Sequence, residues 1–223
     1  MPTRRLALAA LVGPPLFATS LLAVTAIEWD FLHDLGWSAA PFDNPDVPWP
    51  SSAALGDSGA LLSIGFAVLG SSTLALALAL YRLLERRLKV GPALLVGLAG
   101  GAICAAFRTD YGSAGGGGPE TWNGVVHALG YTILVVVPIP AMLVLGVRLR
   151  RFDPWRGAAW SSLAAAAIAA ASLAAFLAGG GSLFLFAFFA DLLTWLTLVA
   201  ARALALASGG ESRVQPEAGA EVR

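Results

Sequence analysis

Six apolar stretches separated by short polar connections divide the chain, over residues 6–27, 54–81, 90–107, 124–147, 157–178 and 182–206. A helix needs about 20 residues to cross a bilayer. Inside hydrocarbon the backbone has no water to bind, so each stretch is expected to be a helix. The fold class that follows is all-α: a polytopic membrane protein, a six-transmembrane-helix bundle over residues 1–207. Residues 208–223 are polar and read as a disordered cytoplasmic tail.

The first stretch has a second reading. Arg4 and Arg5 precede it and Val24-Thr25-Ala26 closes it, as in a cleaved signal peptide. The apolar part of a signal runs to about 7–15 residues. This one is longer, so a retained helix is preferred. Gly13-Pro14-Pro15 in its middle predicts a kink, which membrane helices tolerate when neighbours pack on them. The fifth stretch is built from small residues: Ala158, Ala159, Ser161, Ser162 and the alanines of 164–167 and 169–171. Such a face lets helices approach closely and marks a packing surface or a dimer surface.

Composition agrees with the pattern. Hydrophobic residues make up 57% of the chain and charged residues 13%, with a mean hydropathy of +0.75. Soluble domains carry about 25% charged residues. The net charge is zero, but its distribution is uneven. Arg4, Arg5, Arg82, Arg86, Arg87, Lys89, Arg148, Arg150, Arg151, Arg156 and Arg202 fall on one side of the threaded spans, and Arg108 alone on the other. Basic residues stay in the cytoplasm, so both termini are expected there, in a multi-pass protein of the cell (inner) membrane. The basic loops are explained by topology, and no patch remains to bind nucleic acid. The lone cysteine, Cys104, can form no internal disulfide and reads as a small packing residue.

The first connection on the acidic side, residues 28–52, is the longest. It holds Trp29, Trp37 and Trp49 among Pro41, Pro45, Pro48 and Pro50. Tryptophan suits the membrane boundary, so this connection reads as an anchored connector or a lid. The candidate chemistry gathers in the next connection on that side, residues 107–131, FRTDYGSAGGGGPETWNGVVHALGY. Asp110 closes the third stretch. A glycine run, 115–118, precedes Thr121, Trp122 and Asn123, and His127 lies about one turn into the fourth stretch. Asp57 is expected one turn into the second helix, and Asp191 some nine residues into the sixth.

Ionisable groups in membrane helices are costly and mark function or a specific pairing. Binding-pocket candidates are therefore Asp57, Asp110, Trp122, Asn123, His127 and Asp191. Each has a plainer reading. His127 satisfies a neighbouring carbonyl or carboxylate, Asp110 forms a turn or pairs with Arg108, and Asp57 favours the positive end of its helix. Asp191, among Phe188, Phe189, Leu192 and Leu193, requires a partner; His127 is the expected one, directly or through water, with Thr194 and Trp195 completing its polar face.

Arg108-Thr109-Asp110, the glycine-containing connection, Trp122 and His127-Ala128-Leu129-Gly130 together resemble the bacterial integral membrane proteins of domain-of-unknown-function family 998, DUF998. The six-helix layout fits across nearly the whole chain. The resemblance implies a polytopic membrane protein and carries no established activity. A weaker similarity is to membrane hydrolases of the alkaline-ceramidase type, which use a serine, an aspartate and three histidines around zinc. This chain has two histidines, His33 and His127.

Three function classes stay open. The first is an outward-facing Asp/His pocket that binds or transports a small molecule, a lipid headgroup or an ion. The second is a metal-assisted lipid hydrolase with His127, Asp110 and Asp191 as ligands. No HExxH helix or nucleophile elbow supports it. The third is a structural or accessory membrane subunit. No two-half repeat points to an inverted-repeat transporter. The expected partners are the lipid bilayer and a small-molecule or lipid ligand; the sequence specifies no cofactor and no oligomeric state.

Overall fold

The computed structural model describes residues 1–36, 50–84, 88–111 and 118–211, and these contain helices and no strand. In order they are α1 (Thr3–Ile27), α2 (Trp29–Asp34), α3 (Gly59–Leu83), α4 (Val90–Ala105), α5 (Trp122–Val136), α6 (Pro138–Leu149), α7 (Arg156–Leu177) and α8 (Ser182–Glu211). Short 3₁₀ turns lie at Pro50–Leu55 and Asp153–Trp155. The expected lid with Trp37 and Trp49, most of the glycine run and residues 212–223 lie outside the described residues.

Among the described residues five spans are long and apolar enough to cross a membrane, α5 and α6 together forming one of them. The sixth apolar helix, α4, has 16 residues. At 1.5 Å per residue it covers about 24 Å of a hydrocarbon core about 30 Å thick. The carbonyl of Ala105, its last residue, ends inside the bundle.

Three boundaries differ from the apolar pattern, each for a physical reason. The span expected over 124–147 is broken before Pro138, which begins α6. Proline lacks an N–H and crowds the carbonyl four residues back, whereas hydropathy runs straight through it. The second span begins at Gly59 rather than 54, because residues Ser51 to Leu55 form a buried 3₁₀ turn. The last helix continues through residues 208–211, so the tail begins later than its polarity suggests. Pro14 and Pro15, by contrast, lie inside α1 without ending it.

The spans close into a ring. α1 packs between α3 and α8; α3 packs on α4, α4 on both α5 and α6, α6 on α7, and α7 on α8. Leu62, Leu69, Leu95, Leu134, Leu145 and Phe188 fill the core. The small face of α7 serves this packing: Trp195 Nε1 of α8 donates to Ser162 Oγ of α7 at 2.9 Å. One end of the ring carries the connections after α1, α4 and α7 and is called here the hairpin end. The other carries both ends of the helical chain and the connections around Lys89 and Arg150, and is called the arginine end.

Candidate functional site

At the hairpin end, α4 stops short and its last carbonyls need donors, since an unsatisfied backbone group in a membrane interior is expensive. His127 supplies one. From the second turn of α5, its Nδ1 lies 2.9 Å from the Ala105 oxygen and 2.8 Å from the Phe107 oxygen. Carbonyl oxygens only accept, so Nδ1 carries the proton. The residue is 4% exposed. Its ring meets Phe66 edge-on, with centroids 6.1 Å apart, and stacks on Tyr131 at 6.2 Å. Nε2 is buried, with no hydrogen-bond partner among the described residues.

Asp110 works on the other strand of the same hairpin. Its Oδ2 accepts from the Glu120 N–H at 2.8 Å, the Thr121 N–H at 2.9 Å and the Thr121 hydroxyl at 3.3 Å. Thr121 is the N-cap of α5, and its Oγ1 accepts from the Gly124 N–H at 3.1 Å. A carboxylate at a helix N-terminus is favoured by the helix dipole as well as by these bonds. Gly124 leaves the space that the carboxylate fills; a Cβ there would collide with it. Gly130, one helical turn beyond His127, lets α5 meet α4 backbone to backbone, against Gly101, Cys104 and Ala105. Asp110, His127 and Gly130 thus form one interlock between α4 and α5.

The other expected site residues are placed differently. Trp122 is 75% exposed and Asn123 is also exposed, so neither faces into the bundle. Asp57 is exposed and precedes α3, whose N-cap is Ser58, instead of lying a turn into the helix. Asp191 is half-buried on α8, and its Oδ2 has no partner among the described residues. Asp191 and His127 form no direct hydrogen bond: Nδ1 is turned to the end of α4, and Nε2 and Asp191 Oδ2 each lack a partner among the described residues. The polar neighbours expected to help Asp191 are committed elsewhere: Thr194 to the Ala190 carbonyl, Trp195 to Ser162. Among the described residues no group of three His, Cys, Asp or Glu side chains is placed to hold a metal ion.

Two residues outside the set of pocket candidates shape this end. Glu28, buried at the close of α1, accepts from the Ser58 N–H at 2.6 Å and so caps α3. Arg108 turns to the Leu55 carbonyl, and not to Asp110. The signal for Arg108 was its solitude as the one basic residue on the acidic side. Together these contacts tie the segment 50–58 to α1 and α4. Beside it opens a depression of about 500 Å³ lined by Gly56, Asp57, Gly59, Ala60, Ser63, Ile64 and Arg108. Asp57 and Arg108 share that depression without forming an ion pair, and Asp57 makes no hydrogen bond among the described residues.

Residues 36–202 match the family model described as protein of unknown function, DUF998. No curated protein and no solved structure matches the chain.

Proposed function

The chain belongs to the DUF998 family, whose function is unknown, and from that premise we propose that it is a membrane-embedded binding protein whose ligand site is the depression at the hairpin end. The observation that carries this reading is the pair Asp57 and Arg108, opposite charges lining one depression without joining each other. Two such groups held apart suit a ligand that brings both charges, a zwitterionic headgroup or small zwitterion. Arg108 offers its fork to an anionic oxygen group, and Asp57 accepts from an ammonium. The basic-residue bias supports an orientation with this end outside the cell and both termini in the cytoplasm, and the reading takes the protein to lie in the inner membrane.

The polar motif itself favours a second, structural reading. His127 and Asp110 are engaged by backbone groups of the α4–α5 hairpin, which leaves the binding role to the depression. Titration of purified protein in detergent, with glycerophosphoethanolamine and with phospholipids, separates the two readings. Binding that weakens in both Asp57→Asn and Arg108→Gln supports the site. If no zwitterionic probe, soluble or lipid, binds in a manner sensitive to these residues, the accessory-subunit reading takes its place.

A further inference from the structure

A second depression shares a wall with the first. It is an apolar groove of about 600 Å³ between α1 and α3, lined by Leu8, Ala9, Val12, Gly13 and, across from them, Ile64, Ala67, Val68, Ser71 and Ser72. Ile64 belongs to both depressions. On α3 the residues Ala60, Ile64, Ala67 and Ser71 recur at helical spacing, so one stripe leads from the charged depression into the groove. Ile64 to Ser72 spans about 12 Å along the helix axis. The groove is hollow because Ala9, Gly13, Ala67 and Ser71 are small, while Leu8, Val12 and Ile64 stand out as its exposed walls. Its hydroxyls are used within their own helix: Ser71 donates to the Ala67 carbonyl and Ser72 to that of Leu69. The groove therefore presents an apolar surface.

Resting on the binding reading above, we infer that one zwitterionic phospholipid occupies both depressions. Its phosphate lies against Arg108, its amine against Asp57, and an acyl chain passes over Ile64 into the groove between α1 and α3. The polarity follows the bilayer. The charged depression is at the end of the spans, where headgroups lie, and the groove is on the flank of helices that face hydrocarbon. Charge complementarity selects the headgroup. An anionic lipid would leave Asp57 unanswered and be repelled by it, whereas a lipid with one positive and one negative group answers both side chains. The same chemistry is present in soluble glycerophosphoethanolamine, and the groove distinguishes the two sources, since only the lipid has a chain to place there.

Native mass spectrometry of the full chain in detergent tests this, with phosphatidylethanolamine, phosphatidylglycerol and glycerophosphoethanolamine as probes. Phosphatidylethanolamine is expected to bind one per chain and more tightly than phosphatidylglycerol. Asp57→Asn should weaken it roughly tenfold, the scale of one charge-assisted hydrogen bond. Ser71→Phe, at an exposed position that fills the groove, should weaken the lipid and leave the soluble fragment unaffected. Both variants should keep the melting temperature of the parent. Glycerophosphoethanolamine binding as tightly as the lipid, with Ser71→Phe without effect, overturns the lipid assignment and leaves the headgroup site standing. Preference for phosphatidylglycerol overturns the zwitterion. A dimer mass lost in Ser71→Phe, with no lipid bound, gives the groove to a second copy of the chain and also overturns the inference. No binding by any probe removes the site together with the reading it rests on.

Discussion

The imidazole Nδ1 of His127 lies 2.8 Å from the carbonyl oxygen of Phe107, and the Ala105 oxygen is almost as near. One N–H thus serves two carbonyls at the end of a helix too short to present them to the membrane surface. Removing it leaves buried acceptors without their donor, at about 1–3 kcal/mol. His127→Ala is expected to lower the melting temperature in detergent, and His127→Asn, which keeps a donor, to lower it less. A melting temperature unchanged by His127→Ala would remove the capping role.

Asp110 and Gly124 should behave as a coupled pair. Asp110→Ala takes away the acceptor for the Glu120 and Thr121 amides. Gly124→Ala drives a methyl group into the carboxylate. Each alone is expected to destabilise. With the carboxylate already gone, the methyl group has space, so the double variant should cost clearly less than the sum of the two. Strict additivity in a thermal-melting cycle would show that the carboxylate does not fill the space beside Gly124.

The positions of the spans were legible because hydropathy reports burial in lipid directly, and the stretch holding Asp110, His127 and Gly130 was legible as the polar interruption between two of them. Their tasks were not. A histidine one turn into a helix can turn toward any neighbour, and only the shortness of α4 puts two orphan carbonyls beside it. A direct Asp191–His127 bond is missing for the same reason: similar depth along the bilayer does not fix which way a ring nitrogen points. Asp57 and Arg108 lie 51 positions apart in sequence, and nothing short of the fold of segment 50–58 brings them to one depression. Pro138 was visible in the sequence, but an apolar average does not register a missing N–H.

Orientation can be read by thiol labelling. In a Cys104→Ala background, Tyr111→Cys places an exposed thiol at the hairpin end and Arg150→Cys one at the arginine end. The basic-residue bias puts Arg150 in the cytoplasm. A membrane-impermeant maleimide added to intact cells should label the first and reach the second only after permeabilisation. The reverse pattern would turn the depression toward the cytoplasm and end its assignment as an outward-facing site.

The last expectation concerns Asp191, a carboxylate some nine residues into α8. An aspartate near the middle of a membrane helix costs about 2.5–3.5 kcal/mol on insertion, and such residues ordinarily find a partner. Here Oδ2 is buried with no partner among the described residues, Thr194 bonds its own helix, and Trp195 is given to Ser162. A leucine in its place is bulkier, but the position is partly exposed, and the change removes an unanswered polar group and extends the apolar surface of α8. Asp191→Leu is therefore expected to hold or raise the melting temperature. Because His127 Nδ1 is engaged at the end of α4 and Nε2 accepts no bond from α8, Asp191→Asn and His127→Gln should add to within about 0.5 kcal/mol in a double-mutant cycle. A clear loss of stability in Asp191→Leu, or strong coupling to His127, would mean that the carboxylate is held by a donor, and would restore the pairing that the sequence first suggested.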